Sequence, residues 1–324
     1  MSQKQTDTIE ETTIESLESD ESTSEESILE IGKQKISWQR IVLILFAGIS
    51  VIIVILIFIF ILVNGLQVIP EVGFIKFLFG TSWNPEADQY GILHGIIGTV
   101  MVVLIAMVVA VPISISCSIY ISEIAPPAVR KIIKPSVEML ASIPSVVYGF
   151  FGLFILVPAV KYIFRLPTGE NALSGGLILA IMVIPTIVSI TDDAIRAVPR
   201  SFREASLALG ATKWQTIRKV VLPAALSGIY AAVILAFGRA IGETMAVLMV
   251  AGGASQIPKP FFNILVPVDP LTAIIARELG EAAQGGTQFH ALFGIAIVLF
   301  LITFAVNLTG DLVIKRFTKK FRGA

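Results

Sequence analysis

Cysteine is nearly absent: the 324 residues hold one, Cys117, inside an apolar run. No disulfide framework and no cysteine-built metal site follow from a single thiol. Histidine is almost as scarce, because only His94 and His290 occur. They read as interfacial residues near the outer ends of two apolar runs, not as metal ligands. Also missing is any G-x-x-x-x-G-K loop followed by Ser or Thr. The chain therefore does not hold ATP in that way and has to borrow its driving force. A cleavable leader would begin with basic residues and a short apolar core; here an acidic leader precedes a long apolar run, which argues against one. No cofactor and no nucleic-acid partner are expected.

Positive charge is scarce in the first 31 residues, where Lys4 is the one base against ten acids. That Ser/Thr/Glu-rich stretch has too few bulky apolar residues to bury a core, so residues 1–37 are expected to form an acidic, disordered cytoplasmic tail. Beyond residue 31 there are 23 bases against 14 acids, a surplus concealed by the formal net charge of zero.

What is abundant is apolar side chain, at 55% of residues with a mean hydropathy of +0.85. Those values exceed what a soluble globular chain carries. Ile41 to Val63 runs without a charge, and as a helix it covers roughly 34 Å, enough to cross a bilayer core of about 30 Å. Trp38 and Arg40 sit at its entry as interface anchors. Further spans are expected at Ile96–Tyr120, Val137–Val160, Ser174–Ile190, Ala224–Ala251 and Ala291–Ile314. The fold class is thus an all-α membrane protein, a polytopic bundle of six helices over residues 38–324. Pro112, Pro144 and Pro185 fall inside these spans and imply kinks.

Six spans divide the flanking bases into two unequal sets. With the N-terminus inside, 17 Lys and Arg fall on the cytoplasmic side and five on the other: Lys76, Lys161, Arg165, Lys259 and Arg277. Such a bias places both termini in the cytoplasm of a multi-pass protein of the cell membrane, in contact with membrane lipid. Asp192 and Asp193 then cap or solvate the inner end of the fourth span, and Asp311 lies near the inner end of the sixth. On the outer side, Phe74 to His94 mixes aromatics with a turn-forming Asn-Pro and reads as a segment lying along the membrane interface.

Between the fourth and fifth spans lies a stretch too charged for lipid, EASLALGATKWQTIRKVVLP, from Glu204 to Pro223. Glu204 to Leu209 are good helix formers, Gly210 supplies a bend or a helix end, and Ala211 to Val221 can resume a helix. Pro223 stops that helix or opens the next element. A plain solvated helical hairpin would account for this composition as well.

The fifth span carries an arginine, Arg239, near its middle, with Glu243 four residues on and hence expected on the same helix face. A central arginine costs about 2.5–3.5 kcal/mol on insertion scales, so it should face the bundle or a wet path. Two uses are open: a satisfied ion pair that locks the fold, or a guanidinium offered to an anion, for which its planar fork and permanent charge suit phosphate oxygens.

The spacing of Glu204, Ala205, Gly210, Leu222 and Pro223 resembles the cytoplasmic coupling loop of ABC importer permeases, here about residues 196–223. Ser206 stands where that pattern has a second alanine, and Val220 where it has isoleucine. PEADQYGILHGIIGTV, ASIPSVVYGFFGLFILVP, VPRSFREASLALGATKWQTIRKVVLPAALSGI, GRAIGETMAVLMVAGG and LTAIIARELGEA, in this order, resemble the PstC-type permease of phosphate ABC transporters over roughly residues 65–320. The resemblance implies a permease without an ATPase site of its own, forming half of a path for inorganic phosphate. It also implies a PstA-like sister permease, a cytoplasmic PstB-like ATPase dimer and an extracytoplasmic PstS-like phosphate-binding protein. In that setting Arg239 and Glu243 are the expected path residues, and Glu204, Ala205, Gly210, Leu222 and Pro223 the expected ATPase-coupling residues. A permease for another oxyanion or solute shares the loop; a secondary transporter or channel would leave it unexplained.

Overall fold

The computed structural model describes residues 38–322. The expected disordered tail, residues 1–37, lies outside the described residues, as do the side chains of the C-terminal bases from Lys315 onward. The chain divides into two units, residues 1–59 and 60–324. The described part of the first is most of α1 (Trp38–Leu66), in which Leu43, Ile44 and Val54 are all exposed. A helix apolar on every side has no polar face to turn to water, as lipid contact demands.

The second unit is helical apart from loops and a hairpin of two-residue strands. After α2 (Val68–Val72) and α3 (Phe74–Phe79) come β1 (Trp83–Asn84) and β2 (Gln89–Tyr90), paired antiparallel. There follow α4 (Leu93–Ile119), α5 (Pro127–Ala141), α6 (Ser145–Phe151), α7 (Val157–Phe164) and α8 (Ala172–Arg196). The chain continues through α9 (Arg200–Ala208), α10 (Lys213–Thr216), α11 (Leu222–Gly242) and α12 (Met245–Val250). It closes with α13 (Leu271–Glu278) and α14 (Thr287–Arg322).

Six helical stretches are long and apolar enough to cross a membrane: Arg40–Val72, Leu93–Ile124, Ser145–Phe164, Ala172–Arg196, Lys213–Gly242 and Thr287–Leu312. The first span runs on to Val72 and the fifth starts as early as Lys213, and two further expected boundaries are overridden by the backbone. The third span begins at Ser145, not Val137, because Pro144 cannot donate to a preceding turn, and the charged stretch before it forms the separate amphipathic helix α5. The fifth span ends at Gly242, where Glu243 turns extended (φ −70, ψ 128) and breaks the helix before α12.

Within the spans, three π turns, Tyr120–Ile124, Gly152–Leu156 and Ile217–Val221, each end two residues before a proline: Pro126, Pro158 and Pro223. Proline has no N–H to offer and its ring crowds the carbonyl four residues back; a widened turn moves that carbonyl aside. Pro223 therefore opens α11 without interrupting one continuous helix from Lys213 to Gly242.

The core is centred on α4, α8 and α11. Ala232, Ala236 and Ala240 recur every fourth residue and are at most 3% exposed, packing with Val102, Ala106, Leu179 and Val183. In lipid such helices associate by close packing and hydrogen bonding, not by escape from water. Gly176 provides the closeness, since a Cβ there would collide with Ile105. Ser114 and Ser118 add two bonds from α4 to the α8 carbonyls of Ile184 (3.3 Å) and Val188 (3.1 Å).

A second cluster closes the other end. Phe77, Trp83, Tyr90, Leu271, Ile274, Leu292 and Ile295 are all buried together. The Phe74–His94 segment is thus anchored on the helix ends by its buried aromatics, while Phe74, Ile75 and Phe79 stay exposed. The indole N–H of Trp83 donates to Glu278 at 2.7 Å. Both histidines are buried too, His94 at 1% and His290 at 5% exposure, and His290 Nδ1 lies 2.9 Å from Glu71.

Candidate functional site

Two regions hold the residues singled out from sequence: the break after α11, with Arg239 and Glu243, and the elbow between α9 and α10. The continuous helix from Lys213 to Gly242 joins them.

Arg239 is in the last turn of α11, not at the middle of a longer helix. It is exposed at the surface of the chain, and its Nη1 donates to the Thr186 hydroxyl on α8 at 2.9 Å. The expected common helix face with Glu243 is not there, because the helix ends before Glu243. Instead the half-buried Glu243 carboxylate accepts from the Ala246 N–H of α12 (3.4 Å), and its backbone carbonyl accepts from the Thr272 hydroxyl (2.9 Å). Among the described residues no ion pair joins Arg239 to Glu243, so the locking-pair reading fails on geometry. Asn307, exposed on α14, lies beside Gly238, the residue that precedes Arg239. Sequence reasoning missed Thr186 and Asn307; their only signal was polarity within apolar runs.

At the other end, α9 carries Glu204 and Ala205, both exposed, and stops at Leu209. Gly210 then takes φ +82, a left-handed conformation that side chains disfavour. Thr212 starts α10 with a capping box: its hydroxyl accepts from the Gln215 N–H (3.3 Å), and the Gln215 side chain accepts from the Thr212 N–H (2.9 Å). A Ser206–Thr216 hydroxyl contact of 3.0 Å ties the two arms of the elbow together. The expected helix, bend and resumed helix are all present. Leu222 and Pro223 open α11 directly after the π turn. The elbow also exposes large apolar side chains: Phe202 is 51%, Leu207 50% and Leu209 90% exposed.

The elbow is held to the bundle by charge. Arg203 donates to Glu123 (2.7 Å) and to the carbonyls of Ile195 (2.9 Å) and Val198 (2.6 Å) at the end of α8. Asp192 does not cap or solvate the end of α8 as expected. It is 1% exposed and receives Arg196 (2.7 Å), Lys134 (3.2 Å) and, more distantly, Arg130 (3.8 Å), which pins α5 against α8. The hydrogen bond to Asp193, against an opposing effect of burial, raises the Lys134 ammonium above its ordinary value, so its charge is secure at neutral pH.

Residues 112–323 match the family model described as binding-protein-dependent transport system inner membrane component. The chain is 41% identical over 246 residues to the probable ABC transporter permease protein YqgH of Bacillus subtilis (strain 168), covering 75% of this chain and 79% of that protein. It is 37% identical over 265 residues to the phosphate transport system permease protein PstC of Xylella fastidiosa (strain 9a5c), covering 76% and 80%. With the PstC of Pasteurella multocida (strain Pm70) the identity is 38% over 264 residues, covering 76% and 81%. Among solved structures, a chain of a bacterial alginate ABC transporter, crystallised with an alginate pentasaccharide-bound periplasmic protein, superposes with a TM-score of 0.60 at 18% identity, over 88% of this chain and 99% of that one. A chain of the inward-facing MetNI methionine ABC transporter superposes at 0.56 and 18% identity, over 72% and 99%. At these identities the superpositions speak for the fold.

Proposed function

The chain belongs to the binding-protein-dependent transport system inner membrane component family, and on that premise we propose that it is the permease subunit forming half of an ATP-driven import path for inorganic phosphate. Relatives named as phosphate transport permeases, at 37–38% identity over three quarters of the chain, support the substrate. The partners are a PstA-like sister permease, a PstB-like ATPase dimer in the cytoplasm and a PstS-like phosphate-binding protein outside. ATP is hydrolysed by those partner subunits and not by this chain. Both termini and the Glu204–Pro223 loop face the cytoplasm, following the bias of basic residues.

The observation that carries the anion path is the bonding of Arg239. A guanidinium at the end of a membrane helix is held by the neutral hydroxyl of Thr186, and among the described residues no carboxylate pairs with it. Its charge is left for an incoming anion, and Thr186 aims the fork without neutralising it. Glu243, at the break a few residues on, keeps negative charge close enough to prevent the anion from being trapped.

Coupling uses the same helix. The exposed apolar side of α9 docks into the ATPase, with Glu204 and Ala205 on it, and Gly210 sets the elbow angle. Leu222 and Pro223 connect the elbow to α11. The 30 residues from Lys213 to Gly242 make a rod of roughly 45 Å, so a tilt imposed at Gly210 reaches Arg239 without an intervening joint.

The direct test is phosphate uptake by cells lacking this chain, with sulfate and molybdate as controls. Phosphate uptake should fall and return on re-expression, with both controls unchanged. A sulfate or molybdate defect in place of the phosphate defect assigns the path to another oxyanion.

A further inference from the structure

We propose that a second anion site, independent of Arg239, lies at the opposite end of the bundle, in a cleft of about 520 Å³ between the end of α4, α5, the end of α8 and α9, and that it takes a phosphate-bearing anion. Four arginines from three helices line it, Arg130, Arg196, Arg200 and Arg203, with Glu123 and Glu204. Their bonding is unequal. Arg203 is saturated by Glu123 and the carbonyls of Ile195 and Val198. Arg196 is occupied by Asp192 through Nε at 2.9 Å and Nη2 at 2.7 Å.

Arg130 and Arg200 are not so engaged. Arg130 approaches Asp192 at only 3.8 Å, and its Nε is shut off from solvent with no acceptor. Arg200, exposed at the first position of α9, has no ion pair among the described residues. A buried donor without an acceptor is costly, more so on a charged group. The lining carries four cations against two carboxylates, and the buried Asp192 behind it removes one of the two surplus charges. One anion therefore balances the cleft, and phosphate oxygens match the guanidinium fork.

The site's place gives it a consequence. Arg130 belongs to α5 and Arg200 to α9, so a ligand held by both ties the elbow helix to α5. On the side that the basic-residue bias assigns to the cytoplasm, two sources supply such a group: inorganic phosphate in solution and the headgroup of an anionic phospholipid. Binding itself does not rest on the import reading; only its effect on transport does.

The test uses the full chain in nanodiscs, in an Arg239→Gln background so that the import path does not contribute. In one arm, discs of zwitterionic phosphatidylcholine alone are titrated with radiolabelled inorganic phosphate. In the other, discs containing phosphatidylglycerol are taken to native mass spectrometry and the lipid retained by the chain is measured. Arg130→Gln/Arg200→Gln should weaken binding about tenfold in at least one arm, while Lys161→Gln/Arg165→Gln at the other side of the membrane leaves it unchanged. The arm that responds identifies the source. Should the double variant fold poorly, Arg200→Gln alone, which loses no ion pair, should still weaken binding severalfold. Equal binding by wild type and Arg200→Gln in both arms, or equal loss in the Lys161/Arg165 control, overturns the proposal.

Discussion

Arg239 Nη1 donates to Thr186 Oγ1 at 2.9 Å, joining the last turn of α11 to α8 across 53 residues of sequence. Thr186→Val keeps the shape of that side chain and removes the acceptor, leaving the guanidinium free to swing. Uptake normalised to assembled complex should fall several-fold, with the membrane level of the subunit unchanged. Thr186→Ser, which restores a hydroxyl, should recover most of it. A valine variant that transports like wild type would show that Thr186 does not aim Arg239.

The elbow makes a separate claim. Gly210 has φ +82 and open space where a Cβ would be added, so a substitution there meets backbone strain and no clash. For a β-branched residue in the left-handed region the penalty is roughly 1–2 kcal/mol or more. Gly210→Val should abolish transport at near-normal subunit levels, and Gly210→Asn, which tolerates that conformation, should retain a substantial part. Equal transport by the two variants would mean that the bend does not set coupling.

Asp192 holds α5 to α8. Asp192→Asn removes the acceptor charge for Arg196, Lys134 and Arg130 together, and after allowing for the solvent that reaches these bases the loss is about 1–3 kcal/mol. Denaturant unfolding of the purified chain should register it. Lys134→Met, which leaves Asp192 with Arg196, should cost less.

Topology can be read with thiol reagents in a Cys117→Ala background. Lys213→Cys at the start of α10 should resist a membrane-impermeant reagent in intact cells, and Glu86→Cys in the outer hairpin region should react. The reverse pattern would invert the assigned orientation.

The six spans and the elbow were legible in the sequence because length, apolarity and a glycine among helix formers report on local chain behaviour. The elbow's tether was not: Arg203 reaches Glu123 across 80 residues, and no local pattern announces such a partner. Helix ends failed where backbone chemistry overrode composition, as at Pro144. At Glu243 the break has a different origin, since nothing in GRAIGETMAV forbids a helix; Thr272, 29 residues on, bonds the Glu243 carbonyl and a tertiary contact sets the end. Spacing of four between Arg239 and Glu243 predicted a shared face only on the assumption of an unbroken helix. Asp192 looked like a solvated helix end because two of its three cationic partners, Arg130 and Lys134, lie on α5, far from it in sequence.

The central claim is that Arg239 serves the anion and not an ion pair with Glu243. Phosphate uptake by Arg239→Gln/Glu243→Gln, normalised to assembled complex in the membrane, tests it most directly. If the two charges only satisfied each other, removing both would leave neither unpaired and transport would return. The geometry predicts no such return: the double variant should transport as poorly as Arg239→Gln alone, with Arg239→Lys intermediate. Near wild-type uptake by the double variant would contradict the account.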